Sequence, residues 1–228
     1  MRLALQSQVM AALGLANLPD YNNAVSSALE FATLGLENVL RTEFELTTTT
    51  DYFEPNVFEP LRKLRLKRGF VLQGPTANGV PVTNPQVIYA ASPWAMKNGN
   101  TVDITSMCVF DYEKGVVWVR NLAGDLSASG AMSRLASAGY YGLPGSSVSV
   151  SYSAGFPVSK ADPTLFDLTI VPDWLQQLAQ MRAQINLAQH PAIDVTKAVA
   201  GVSDLQSQFV SVVARKTRYT PDAILSVN

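Results

Sequence analysis

The residues that most often carry enzymatic chemistry are few in this chain of 228 residues. The one histidine, His190, precedes Pro191 at the predicted end of a helix, and its sequence neighbourhood supplies neither a nucleophile nor an orienting carboxylate. The one cysteine, Cys108, lies in an apolar run and is interpreted as a small buried hydrophobic residue. A single cysteine also excludes an internal disulfide and any multi-cysteine metal site. We therefore expect structural roles for both residues.

Acidic residues cluster in two places, one around Asp51 and one around Asp103. The clusters consist of Asp51, Glu54 and Glu59, and of Asp103, Asp111 and Glu113. Neither has the spacing of a calcium-binding loop. Motifs for phosphate, dinucleotide or zinc-protease chemistry are absent from the sequence. We expect no enzymatic activity, no metal and no cofactor.

A carbohydrate-directed protein is the alternative that the sequence leaves open. A glycoside hydrolase needs two carboxylates on either side of the bond it cleaves. The candidates for such a pair are Asp51, Asp103, Asp111 and Asp125. A glycan-binding module would instead stack sugars on Trp94, Trp118, Tyr140 and Tyr141, unless these aromatics belong to the core or to a subunit interface.

A basic run is the most marked charge feature of the chain. Five of the 17 basic residues stand within seven positions: Arg62, Lys63, Arg65, Lys67 and Arg68. They are expected either to face double-stranded DNA or an acidic partner, or to form the solvated side of a strand and discourage edge-to-edge association. Aromatic residues are not interleaved with them, which disfavours binding of single strands. The formal net charge of −1 provides no overall field for nucleic acid.

Helical periodicity occupies the two ends of the sequence. Residues 3–15 and 19–42 predict two antiparallel helices. A closing helix begins at Pro172 and ends near His190, and its apolar face is predicted to contain Trp174, Leu178, Met181, Ile185 and Ala188. This face is expected to pack on Val25, Leu29, Leu36 and Val39. Residues 194–218 are weakly helical, and residues 220–225 predict one last capped turn.

Strand signals fill the middle of the chain, where residues 61–72, 87–90 and 148–152 predict strands and 109–119 predict a hairpin. Within 61–72, Leu64 and Leu66 alternate with Arg65 and Lys67. Asn98-Gly99 is predicted to be a hairpin turn, and Pro75, Asn78-Gly79 and Pro81 mark further turns. Residues 121–147 form a long loop rich in Gly, Ala and Ser, with a short helix predicted near 131–138.

The sequence therefore predicts an α+β fold. An antiparallel helical bundle carries an inserted antiparallel β-hairpin and sheet region and an extended C-terminal tail. The expected boundaries are 1–46 for the first bundle helices, 47–156 for the insertion, 157–190 for the closing helix and 191–228 for the tail. With no apolar run near the ~20 residues that cross a bilayer, no membrane association is expected.

The order of these segments resembles the head-to-tail connector, or neck adaptor, proteins of tailed bacteriophages. The matching segments are a short helix ending near 13–15, the helix at 22–44, the strand at 64–69, the hairpin at 110–118, the segment 148–156 and the helix opening at 171–175. Each segment is common on its own, and their order gives the resemblance its specificity. The long segments 75–100 and 121–147 and the C-terminal tail depart from smaller members.

The resemblance implies a structural virion protein at the head–tail interface. Such proteins form a ring, commonly of twelve copies, which joins the portal to the tail and lines the DNA channel. Their partners are the portal protein, other copies in the ring and a downstream neck or tail-completion protein. The C-terminal segment docks on the portal, which here implies Phe209, Val213, Arg215, Lys216, Arg218, Tyr219, Ile224 and Leu225. The apolar residues of the tail need cover, either from the body of the chain or from a partner.

Overall fold

The computed structural model describes residues 1–15, 18–54, 63–74, 76–90, 92–119, 147–188 and 202–216. The chain divides into two compact units. The first, here called the helical unit, combines Met1–Phe44 with Phe156–Asn228, and the second, the β unit, comprises Glu45–Gly155. Helices and antiparallel sheets coexist, so the predicted α+β class is confirmed.

The described helices belong mainly to the helical unit. They are α1 (Gln6–Ala12), α2 (Asn22–Leu40), α3 (Pro93–Lys97), α4 (Asp173–Ala188) and α5 (Val202–Lys216), of which only α3 lies in the β unit. In the helical unit α2 packs against α1 and α4, and α5 packs mainly against α4. The predicted turns at 131–138 and 220–225 lie outside the described residues.

Helix α2 is the longest described helix, and the sequence predicts both of its ends. A 3-10 turn, Pro19–Tyr21, leads into it, with proline at a position where the missing N–H costs no hydrogen bond. At the other end Arg41 adopts a left-handed conformation with φ 50°, and the Thr42 N–H donates back to Glu37 O at 3.1 Å. The buried face includes Val25, Leu29 and Leu36, as their spacing predicts, but Val39 is only half-buried.

The predicted apolar face of α4 is wrong at two positions. Leu178, Ile185 and Ala188 are buried, but Trp174 and Met181 are only half-buried. Other buried residues complete the face, namely Leu175, Ala179, Ala183 and Leu187. Two apolar series at helical spacing coexist in this helix, and its packing against α2 and α5 turns Leu175 rather than Trp174 fully inward.

The N-terminal residues are tied to the segment that precedes α4. Arg2 pairs with Leu165 in an isolated parallel bridge, and Phe166 N–H donates to Arg2 O at 3.0 Å. The guanidinium group of Arg2 reaches Asp162 Oδ2 at 3.0 Å and also donates to the hydroxyl of Thr164. The amino terminus is thereby stabilised against the helical unit.

The described residues of the β unit form three antiparallel sheets. Its strands are β1 (Thr47–Phe53), β2 (Lys63–Arg65), β3 (Thr76–Ala77), β4 (Val80–Pro81), β5 (Gln86–Ala90), β6 (Thr101–Asp103), β7 (Cys108–Asp111), β8 (Val116–Val119) and β9 (Ser147–Ala154). The largest sheet has the order β1-β9-β5-β6, the second has the order β2-β8-β7, and β3 pairs only with β4. Strand β9 is thus an inner strand of the largest sheet.

The core of the β unit draws on the two larger sheets. Its buried apolar residues include Leu64, Leu66, Val87, Ile104, Val117, Val148, Val150 and Tyr152. Burying an aliphatic side chain of this size stabilises a fold by about 1.5–3 kcal/mol. The alternation predicted for Leu64 and Leu66 against Arg65 and Lys67 is correct, since both leucines are buried and both cations are exposed.

Two local predictions in the β unit are corrected. Of the strand predicted at 61–72, only Lys63–Arg65 is a regular strand; residues 61 and 62 lie outside the described residues, and Phe70 has φ 54°, which breaks extended structure. Asn98-Gly99 ends a helix instead of turning a hairpin, because Ser92 Oγ caps α3 by accepting from Ala95 N–H at 3.0 Å. The hairpin turn that joins β3 to β4 is Asn78-Gly79, with φ 50° and 78°.

Candidate assembly surfaces

Part of one side of the three-stranded sheet is solvent-exposed and basic. The strand register places Lys63 opposite Trp118, and Trp118 opposite Val109, so the three side chains share one side of the sheet. Trp118 and Val109 are each 38% exposed, and Lys63 Nζ lies 5.9 Å from the centroid of the Trp118 ring. Arg65 is exposed on the same side, two residues along β2. We call these four residues the basic sheet face.

The predicted basic run is divided by the structure. Lys63, Arg65 and Lys67 are exposed, and Arg62 lies outside the described residues. Arg68 is buried, which corrects its assignment to a DNA-facing surface. Its Nη2 donates to Glu45 O at 2.6 Å, and its backbone N–H donates to the Tyr152 hydroxyl at 3.2 Å. A buried guanidinium group with a carbonyl partner serves the fold rather than a ligand.

Asp51 is a buried carboxylate with structural partners. Its Oδ2 accepts from the Tyr152 hydroxyl at 2.7 Å and from the Lys67 backbone N–H at 2.6 Å. The Lys67 ammonium group lies 3.9 Å from Oδ1. These donors compensate for the removal of the carboxylate from water. Asp51 therefore links β1 and β9 to the segment that follows β2.

The described candidates do not form a glycosidase pair. Asp103 shares a face of the four-stranded sheet with Ile88, Ser149 and Tyr52, whereas Asp51, next to Tyr52, projects from the opposite face. They also lie on opposite edges of the sheet, about 14 Å apart at the usual strand spacing.

The remaining carboxylates have local roles or lie outside the described residues. Gln86 Nε2 donates to Asp103 at 2.9 Å and, together with Thr105, lowers the pKa of this carboxyl, whereas a catalytic acid needs a raised pKa. Asp111 Oδ1 accepts from Lys114 N–H at 3.0 Å and closes the turn between β7 and β8. Asp125 lies outside the described residues.

The two candidate stacking aromatics that the structure describes lie on different elements. Trp94 lies on α3 and is 70% exposed, so it is not a core residue, and its place in a subunit interface stays a prediction. Trp118 lies on the basic sheet face, and Tyr140 and Tyr141 lie outside the described residues. The structure therefore shows two exposed tryptophans on separate elements.

A second exposed surface, which the sequence-based reasoning missed, lies on α2. Phe31 and Leu34 are 68% and 55% exposed, and the exposed Glu30 precedes them. We call Glu30, Phe31 and Leu34 the α2 stripe. Beside it an open groove of about 560 Å³ is lined by Asn23, Ala24, Ser27, Ala28, Phe31, Asn186 and Leu187. The sequence does hold the signal, because Phe31 and Leu34 fall off the face defined by Val25, Leu29 and Leu36.

The described part of the C-terminal tail is helix α5, which packs on α4. Phe209 and Val213 are buried, with the Arg182 guanidinium carbon 5.7 Å from the centroid of the Phe209 ring. Lys216 Nζ lies 4.7 Å from the centroid of the Trp174 ring. These pairings make α5 antiparallel to α4. The sequence left open whether the apolar tail packs on the same chain or on a partner. The apolar residues of α5 that are buried pack on the same chain.

The residues predicted to dock on the portal are therefore in four different situations. Phe209 and Val213 are buried in the helical unit and do not present a surface, and Arg215 is exposed. Lys216 is half-buried beside Trp174. Outside the described residues lie Arg218, Tyr219, Ile224 and Leu225.

Among the described residues, cysteine and the possible metal ligands do not form a catalytic or metal-binding site. Cys108 is half-buried, its thiol donates to Ile104 O at 3.3 Å, and burial raises its pKa to about 11. Within the described ranges no three side chains of His, Cys, Asp or Glu come together as a metal site. No described helix has both the length and the apolarity needed to cross a membrane. His190 lies outside the described residues.

Comparison with known proteins shows a coarse structural likeness. No family model matches the sequence, and no curated protein matches it. Among solved structures, the chain is similar to a chain of the neck of an empty GTA particle, computed with C6 symmetry. The identity is 16%, the match covers 90% of this chain and 89% of that chain, and the TM-score is 0.39.

Proposed function

We propose that this chain is a structural protein of the virion neck in a tailed-phage-like particle, where copies form a ring that joins the portal to the tail. The proposal starts from the order of sequence segments that resembles phage connector proteins. One observation carries it: the β unit interrupts the helical unit between Phe44 and Phe156. Phe156 N–H donates to Phe44 O at 2.7 Å, so the chain leaves and re-enters the helical unit at one point. This connection supports the bundle-with-insertion architecture that the resemblance implies.

Exposed apolar side chains support an assembling role. Phe31 and Leu34 on the α2 stripe, and Trp118 and Val109 on the basic sheet face, remain in contact with solvent. Contiguous apolar surface with polar or charged neighbours is typical of protein interfaces. A protein that functions as a ring subunit covers such surfaces with neighbouring copies.

The C-terminal region from α5 onward is proposed to dock on the portal. Only Phe209 and Val213 of α5 are buried, which leaves most of that helix, including Val210 and Arg215, open to a partner. Arg218, Tyr219, Ile224 and Leu225 follow in the sequence and add both charge and apolar area. A downstream neck or tail-completion protein would bind a different surface.

Lys63, Arg65 and Lys67 are proposed to contact DNA only through its backbone, if the ring turns them toward the channel. Their exposed cations suit phosphate oxygens, and no described residue set resembles a base-reading element. The glycan-directed alternative is weaker, because Asp51 and Asp103 do not pair. Its remaining support among the described residues is the exposure of Trp94 and Trp118.

The test is to measure particle mass for the purified chain with and without portal rings, by mass photometry and negative-stain microscopy. We expect rings of this chain, alone or seeded by the portal, and one ring per portal particle. A chain that stays monomeric in both conditions would contradict the proposal, and retention of that monomer on a glycan matrix would favour the alternative.

A truncation tests the docking region separately. A chain ending at residue 201 lacks α5 and the residues after it, and it should lose binding to portal particles while the β unit remains folded. Undiminished binding by this truncated chain would show that the portal contact lies elsewhere.

A further inference from the structure

The α2 stripe and the basic sheet face are similar in apolar content. Each presents two large side chains to solvent, Phe31 and Leu34 on one and Trp118 and Val109 on the other. Burial of such side chains contributes about 25 cal/mol for each Å² of apolar surface removed from water. A surface that covered either patch would gain this free energy.

The two surfaces have opposite charge. No lysine or arginine occurs between Asn22 and Leu40. The acids of α2 are Glu30, which is exposed, and Glu37, which is half-buried and accepts from Phe44 N–H at 2.8 Å. The basic sheet face presents the exposed Lys63 and Arg65. The described acid on that side of the sheet is Asp111, so two cations stand beside one carboxylate there and the surface keeps a net positive charge.

From this complementarity we infer that the basic sheet face of one copy binds the α2 stripe of the next copy in the ring. The inference rests on the proposed function and names the two surfaces through which ring neighbours meet. Lys63 and Arg65 then face Glu30, while Trp118 and Val109 pack on Phe31 and Leu34. The occupant is a second copy because both complementary halves belong to the same chain.

Binding of each surface to its own equivalent is the competing arrangement, and charge opposes it. A two-fold contact between basic sheet faces would bring Lys63 and Arg65 toward the same cations of the partner, and a contact between α2 stripes would bring Glu30 toward Glu30. A two-fold contact also ends at a dimer. A contact between two different surfaces repeats from copy to copy, and it forms a ring when the rotation between neighbours closes.

Charge reversal tests the contact with variants that are exposed in the single chain. Glu30→Lys and Lys63→Glu should each raise the concentration needed for self-association about tenfold. The matched controls are Glu45→Lys and Lys160→Glu, which reverse exposed charges that belong to neither surface and should assemble as the original chain does. Circular dichroism melting checks that every variant is folded, because exposed substitutions usually change stability by less than about 0.5 kcal/mol.

Mixing the two variants gives a sharper result than either alone. In a ring where the Glu30→Lys and Lys63→Glu chains alternate, every contact again joins opposite charges, so assembly should return in the equimolar mixture. The chain carrying both changes should assemble as well. A mixture that stays as weakly associated as its components would overturn the inference.

Cross-linking tests the direction of the contact. Leu34→Cys and Lys63→Cys in one chain, treated with a short bis-maleimide, should give a ladder of oligomers, whereas either change alone should give no ladder. The native Cys108 contributes little, since its thiol pKa of about 11 leaves it protonated at neutral pH. A product that stops at the dimer for the doubly substituted chain would show a two-fold contact and contradict the inference.

The outcomes separate this inference from the proposed function. Rings of unchanged stability in both charge variants would reject this contact and leave the neck function in place. Absence of rings in the original chain, with and without portal, would reject the function itself. Loss of portal binding by Phe31→Glu, with self-association intact, would assign the α2 stripe to the portal and overturn the inference.

Discussion

The hydroxyl of Tyr152 on β9 donates a 2.7 Å hydrogen bond to the buried carboxylate of Asp51 on β1, across 101 positions of sequence. The same hydroxyl accepts from Arg68 N–H at 3.2 Å. One side chain therefore satisfies polar groups of two other segments inside the β unit. Such a network is costly to leave incomplete, because a buried carboxylate without its donors loses its compensation for desolvation.

Tyr152→Phe should lower the free energy of unfolding of the β unit by about 1–3 kcal/mol, because it leaves Asp51 Oδ2 with one donor fewer and Arg68 N–H without this acceptor. Urea denaturation followed by tryptophan fluorescence measures the change, with Trp94 and Trp118 as reporters in that unit. Tyr52→Phe is the control, since Tyr52 is exposed on the neighbouring position of β1 and should change stability by less than about 0.5 kcal/mol. Equal effects of the two substitutions would contradict the structural role of the network.

Two glycines should respond to alanine in opposite directions. At Gly115, φ is 58° and an added Cβ would overlap the carbonyl oxygen of Arg68, so Gly115→Ala should destabilise the β unit by more than about 1 kcal/mol. At Gly35, in the interior of α2, no atom lies within 4 Å of an added Cβ, so Gly35→Ala should stabilise the helical unit by about 0.5–1 kcal/mol. Thermal melts of both variants measure the difference. Stabilisation by Gly115→Ala would mean that the β2–β8 region is looser than described.

The pH dependence of stability should include a contribution from Asp162. Thr164, through its hydroxyl and then its backbone N–H, lowers the pKa of this carboxyl below its ordinary value of 3.8, with a smaller effect of the Arg2 charge. Because the folded pKa is depressed, the stabilisation is fully present above the unfolded pKa and is lost as the pH falls through the folded pKa. We therefore expect the loss below about pH 4.

Asp162→Asn provides the matched comparison for this pH effect. Its stability should lie below that of the original chain at pH 7, and the difference should shrink on acidification toward pH 2. Parallel urea titrations at pH 7, 4 and 2.5 measure it. A difference that is constant over this range would show that Asp162 gains nothing from its charge.

Helix α5 should open separately from the rest of the helical unit. Its attachment to α4 relies on Phe209 and Val213, with added contacts of Arg182 to Phe209 and of Lys216 to Trp174. Phe209→Ala should therefore increase amide exchange throughout 202–216 while α2 and α4 keep their protection. Val210→Ala, at an exposed neighbouring position, should leave exchange unchanged. Simultaneous loss of protection in α2 would contradict this independence.

Local sequence patterns predict where the long helices lie. Which face of a helix is buried depends on packing with other elements. The span predicted for the second helix, 19–42, contains the 3-10 turn and α2, because both end signals are local. The face of α4 is not local information. Trp174 and Leu175 each begin an apolar series, and contact with α2 and α5 selects the second. Asn98-Gly99 has the sequence of a hairpin turn but lies at the end of a helix, because Ser92 and Pro93 start that helix a few residues earlier.

The candidate surfaces could be predicted only in part. Exposure of Lys63, Arg65 and Lys67 follows from charge and alternation, but the burial of Arg68 depends on the Glu45 carbonyl, which no sequence pattern reveals. Lys63, Trp118 and Val109 are neighbours only through the register of three strands, and this register cannot be predicted from the sequence. Exposure of the α2 stripe can be predicted from helical spacing alone. The assumption that large apolar residues are buried leads to the opposite expectation.

The hydrogen bond from Phe156 N–H to Phe44 O also affects how many residues the chain can hold between these two positions. For the helical unit, everything from Glu45 to Gly155 is one closed loop whose ends are already fixed together. Loop-closure entropy rises only with the logarithm of loop length, so doubling or halving such a loop changes its cost by about 0.6 kcal/mol. Insertions and deletions as large as whole hairpins can therefore accumulate between these two phenylalanines while the packing of α1, α2 and α4 is preserved.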